Sequence, residues 1–221
     1  MIDLQLLDRI LRAPGAVAGQ CEAERDLDAV ARTALLTLLA SATTFGASVG
    51  AWRGGRQILF AALKMPLGIV GTFVLAAPAF YALSAVFGRT WPLRSVLALM
   101  LAAGARFALV LLATTPPLWL TINFGAPYEA IQLAATAAYG LAGLAGLELL
   151  LRGIGAGPSG RAAIALFVGV FLLIGAQSAW VLRPYLGAPG PNAPPPFTRA
   201  REGGLVGQLT QALRGLGGGQ R

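Results

Sequence analysis

A chain of 221 residues is long enough for one soluble domain or for a compact bundle of membrane helices. Hydrophobic residues make up 56% of it and charged residues 12%, with a mean hydropathy of +0.69, which excludes an ordinary soluble surface carrying roughly 25% charge. The net charge of +8 does not point to nucleic acid, because the basic residues, nearly all arginine, stand singly at the ends of apolar runs and form no patch with interleaved aromatics.

In chain order, the opening MIDLQLLDRILR places Ile2, Leu6, Leu7, Ile10 and Leu11 on one helical face, opposite or flanked by Asp3, Gln5, Asp8, Arg9 and Arg12. That suits a helix lying in the lipid headgroup layer or packed on protein. Acids interrupt its apolar face and no small-residue cleavage site follows, so it is not expected to be removed as a secretory signal. Ala13-Pro14-Gly15 ends it, and the rest of residues 1–32 reads as a solvated acidic linker. Cys21, in QCEAERDLD, reads as an ordinary surface thiol.

Five spans are predicted at about 33–51, 67–88, 95–115, 130–151 and 162–182, each long enough to cross a hydrocarbon core of roughly 30 Å. The apolar run from Ile58 to Gly88 is too long for one straight crossing, and Pro66 divides it into an interfacial lead-in, 58–65, and a second span kinked at Pro78. Lys64, in the lead-in, is expected to snorkel to the interface. Pro116 and Pro117 are expected to stop the third span. Trp52, Trp91, Trp119 and Trp180 all fall beside predicted span ends, where amphipathic indoles prefer to sit. After Arg183-Pro184 comes GAPGPNAPPPF, an extended arm, and then a marginal amphipathic stretch carrying Leu205, Leu209, Leu213 and Leu216. The fold expected is therefore all-α: a polytopic membrane bundle of about five helices (33–183) between an N-terminal amphipathic helix and a Pro-rich tail (184–221).

Loop arginines set the orientation. The turns after the second and fourth spans carry Arg89 and Arg94, and Arg152 and Arg161, whereas the turn after the third carries none. The positive-inside rule then puts the N-terminus in the cytoplasm. The five arginines of the tail, counting Arg183, argue the other way but weigh less in a late segment.

Within the spans, Ala134, Ala138, Ala142 and Gly146 recur every four residues, as do Ala42, Gly46 and Gly50; such small rows let helices approach closely in lipid. Arg106 lies near the middle of the third span, where an unpaired guanidinium costs at least about 2.5–3.5 kcal/mol. Glu148 is the acid inside a span, but it lies about 10 Å shallower than Arg106 by these boundaries. Arg106 is therefore expected to bond backbone carbonyls, near Pro78 or in a neighbouring helix. With no histidine and one cysteine, Cys/His zinc and haem sites, an internal disulfide and the commonest general base are all missing. No Walker-type loop or intramembrane carboxylate pair appears either, so no cofactor, metal or catalysis is expected.

The opening helix LDRILRAPGAV, the acidic segment and first span, the long run KMPLGIVGTFVLAAPAFYALSAVFG and the charged turn leading into the next span together resemble the Yip (Ypt-interacting protein) family of five-span membrane proteins. The resemblance covers roughly residues 5–185 and is one of span pattern. The tail block SAWVLRPYLGAP followed by PFTRAREG is similar to sequences of uncharacterised bacterial multi-pass proteins. It implies five helices, an N-in, C-out topology and a role in membrane organisation, and it carries over no catalytic residue.

The function expected is a non-catalytic scaffold or subunit of a membrane complex. Its partners are the lipid bilayer and proteins docked on the tail and amphipathic ends, with homo-oligomerisation left open and no nucleic acid. The tail anchors are Trp180, Arg183, Pro184, Tyr185, Phe197, Arg199, Arg201 and Glu202, a mixture of aromatic, Arg and turn residues of the kind that form interface hot spots. The alternative is a small transporter or channel built around Arg106.

Overall fold

The computed structural model describes residues 3–88, 91–126, 128–154 and 161–182, and the structure is all-helical over them. The elements are α1 (Leu4–Arg12), α2 (Pro14–Glu22), α3 (Leu27–Ala51), α4 (Arg56–Val86), α5 (Leu93–Asn123), α6 (Tyr128–Ile154) and α7 (Arg161–Leu182). Four of them, α3 to α6, are long and apolar enough to cross a membrane, and α7 carries an apolar stretch from Ile164 to Ser178. The chain is a helical membrane bundle.

Local chemistry sets the ends. Asp3 caps α1, its Oδ1 accepting from the Gln5 and Leu6 amides at 2.9 and 3.2 Å, while Arg9 and Arg12 complement the negative end of the helix. Pro14 starts α2 at a position that needs no N–H. Both α4 and α5 end in a left-handed glycine, Gly88 (φ 70°) and Gly125 (φ 73°), whose amides bond back to Ala85 and Ile122; a side chain would strain either turn.

Helix α5 is the centre, touching α1, α2, α3, α4 and α6. Helix α3 packs on both α4 and α5, and α7 packs on α4. The short link 23–26 keeps the α1–α2 pair at the end where α3 begins, where α2 touches α5 and α6. Helices α3 and α4 meet backbone to backbone: a Cβ on Gly46 would overlap the Ala61 carbonyl and come within 2.7 Å of Met65 Cγ, and one on Gly50 would lie 2.5 Å from the Gln57 oxygen. Aromatic rings interlock the rest. Phe171 of α7 meets Phe73 of α4 (centroids 5.2 Å apart), Phe73 meets Phe107 of α5 (6.3 Å), and Phe107 meets Tyr139 of α6 (5.1 Å), all edge to face.

Several boundaries correct the sequence expectation. The acidic linker contains a helix, α2, because Pro14, Val17, Ala18 and Cys21 share one buried face at helical spacing. Helix α3 begins at Leu27, six residues before the predicted span, taking in Asp28 and Arg32. No separate lead-in precedes the second span: α4 runs unbroken through Pro66 and Pro78, and α5 runs through Pro116 and Pro117 to Asn123. In lipid, a chain that leaves the helix finds no water for its amides and carbonyls, so the helix continues past a proline that would end it in solution. Helices α6 and α7 extend or match the last two predicted spans within three residues. The proline-rich arm and the stretch from Leu205 to Leu216 lie outside the described residues.

Cys21 is buried, not a surface thiol, and burial in apolar surroundings pushes its pKa up from an ordinary 9.0 to about 12. The folded state thus favours the protonated thiol: this contribution to stability is complete below pH 9.0 and is lost as the pH rises from there towards 12. At pH 7 a maleimide is expected to label Cys21 only after denaturation in SDS. Labelling at the rate of a free thiol in native detergent micelles would contradict this burial.

Candidate functional site

The residues of most chemical interest lie on facing stretches of α5 and α6. Arg106 Nη2 donates to Glu148 Oε2 at 2.7 Å, and Glu148 Oε1 accepts from Arg152 Nε and Nη2 at 2.9 and 2.7 Å. This corrects the expectation that Arg106 would bond backbone carbonyls instead of Glu148. Glu148 reads too shallow for Arg106 when α5 is taken to end at Pro116, whereas the helix continues past it. With α5 reaching Asn123 and α6 starting at Tyr128, Arg106 is 123 − 106 = 17 residues from the turn and Glu148 is 148 − 128 = 20. The offset is three residues, about 4.5 Å at 1.5 Å per residue, well within the reach of two long side chains.

The three side chains step outward from the bundle: Arg106 is 12% exposed, Glu148 41% and Arg152 55%. Both oxygens of Glu148 are engaged, and two guanidiniums face one carboxylate, leaving a net charge of +1. Arg106 Nη1 is buried and has no acceptor among the described residues. The Glu148–Arg152 link is a one-turn i,i+4 pair with the acid N-terminal, the favourable order; that spacing is legible in the sequence and identifies Arg152 as a member of the network, which the reading by depth alone missed.

Lys64 does not snorkel: it is 0% exposed. The close contact of α3 with α4 turns the face bearing Gln57, Ala61, Lys64, Met65 and Gly68 inward, so the lysine is enclosed by its own bundle. One position on, Met65 Sδ accepts a hydrogen bond from the Tyr139 hydroxyl at 3.6 Å, tying α6 to α4. The small rows also lie at helix contacts. Ala42, Gly46 and Gly50 are buried, the two glycines against α4; Ala138, Ala142 and Gly146 are buried and Ala134 half-buried, with Gly146 against the Ala103 carbonyl and Phe107. Among the described residues no three His, Cys, Asp or Glu side chains gather as a metal site. The tail anchors Arg183, Pro184, Tyr185, Phe197, Arg199, Arg201 and Glu202, and the side chain of Trp180, lie outside the described residues.

Of the other tryptophans, Trp91 is buried ahead of α5, Trp52 is half-buried at the end of α3, and Trp119 is exposed four residues before the end of α5. No family model, no curated protein and no solved structure matches the chain.

Proposed function

We propose that the protein is a non-catalytic scaffold or subunit of a bacterial inner-membrane complex, built on five crossings with the N-terminus in the cytoplasm and docking a protein partner through its tail. The observation that carries this reading is the way the interior closes on itself. Arg106, the charge on which a transport pathway would be centred, is paired with Glu148 of the facing helix, and next to it Gly146 packs against α5 and Phe107 meets Phe73 and Tyr139 edge to face. A fifth crossing is supported by α7, whose Phe171 and Phe167 meet Phe73 and Phe80 in antiparallel order, so that α7 runs alongside α4. The loop arginines support the orientation, and the span pattern supports kinship with Yip-like proteins.

The tail supplies the test. Deleting residues 184–221 and purifying the chain in mild detergent is expected to remove its co-purifying proteins while the bundle stays folded. An unchanged set of partners rules out docking by the tail.

A further inference from the structure

We propose that the outer face of α6, at its C-terminal end, binds the headgroup of an anionic phospholipid, with Arg152 as the phosphate ligand. Arg106, Glu148 and Arg152 form one network with a net +1, and its outermost member, Arg152, is 55% exposed. Arg152 engages Glu148 through Nε and Nη2. A guanidinium has five N–H donors, so its Nη1 end remains to meet a second acceptor. The nearby carboxylate does not repel an anion as a bare charge would, because both its oxygens already accept from arginines.

Arg152 lies two residues before the end of α6, at the end of the bundle where α5 begins. Arg94 is exposed at the same end, to which the α1–α2 pair and the start of α3 also bring exposed acids (Asp8, Glu22, Glu24, Asp26, Asp28) and arginines (Arg9, Arg12, Arg25, Arg32), so the preference for an anion falls to Arg152 itself. Towards the membrane centre on the same side of α6, Leu144 and Leu141 are exposed. From Arg152 to Leu141 is eleven residues, about 16 Å, a track on which an acyl chain can lie while its phosphate stays at the arginine. Helix α6 is also the least covered of the four long helices, so the face is open to lipid. A charge at headgroup depth above an exposed leucine track selects a lipid anion, and on the proposed N-in orientation this end faces the anionic cytoplasmic leaflet.

The site rests on the proposed orientation but not on tail docking, and it holds for a scaffold or a transporter alike. The test uses the full chain in mixed micelles containing phosphatidylglycerol or phosphatidylcholine, with bound lipid counted by native mass spectrometry. Phosphatidylglycerol is expected to be retained in preference to phosphatidylcholine. Arg152→Gln should lower that retention about fivefold, the factor for one arginine near an anionic surface, while Arg152→Lys keeps most of it. Equal retention of the two lipids by the wild-type chain overturns the site without any variant, and so does unchanged phosphatidylglycerol binding in Arg152→Gln.

Discussion

Gly46→Ala is expected to destabilise the bundle by about 3 kcal/mol, the upper end of the usual range for overpacking, although alanine is the better helix former. The added methyl would meet the Ala61 carbonyl, and backbone cannot swing aside as a side-chain end can. Gly50→Ala repeats the collision one turn on, against the backbone of Gln57 and Ile58. The control lies in the same bundle: Gly71 and Gly140 are helical glycines at which an added methyl would find nothing within 4 Å, so alanine there should add roughly 0.5–1 kcal/mol. Thermal unfolding in one detergent, read by tryptophan fluorescence, ranks the four variants. If Gly46→Ala and Gly71→Ala shift the midpoint in the same direction, α3 and α4 are not in backbone contact at Gly46.

A second large effect is expected at the ion network, and its pattern matters more than its size. Glu148→Ala strands two guanidiniums without a counter-charge. Removing one partner of a fully buried pair costs about 3–5 kcal/mol, and the cost here falls below that range because Glu148 is 41% exposed. Arg106→Leu should cost less, since Glu148 keeps Arg152. The double variant Arg106→Leu/Glu148→Leu should recover much of the loss from Glu148→Ala, an interaction visible in a double-mutant cycle that adds Glu148→Leu. Strict additivity of the two substitutions would mean that the 2.7 Å contact contributes nothing to folding.

The long helices were legible in the sequence because a membrane span demands an unbroken apolar run, and few other structures do. The glycines of α3 were legible too, since a four-residue repeat of small side chains has one obvious use between helices. What was hidden followed from reading prolines by the rules of water. Stopping α5 at Pro116 displaced Glu148 from Arg106 by several ångströms and obscured a pair that the correct helix length makes short. Lys64 was hidden for another reason: a lone charge in an apolar run looks like an interfacial residue until the neighbouring glycines bring α3 close enough to enclose its face. Helix α2 did carry a signal, the spacing of Pro14, Val17, Ala18 and Cys21, but the acids that follow it point to solvent and mask that spacing.

The prolines inside α4 and α5 also bear on the chain before it reaches its final surroundings. A nascent apolar segment such as residues 67–77 is rich in residues that pair readily as β-strands, and strand pairing between unfolded copies is how such segments aggregate. Pro66 and Pro78 bracket that segment, and Pro116 and Pro117 interrupt the apolar course of α5. A proline withholds an amide from any intermolecular ladder, whereas the helix in lipid tolerates it. The same residues that would end a helix in water are thus expected to act as gatekeepers during synthesis, disfavouring strand pairing between unfolded copies.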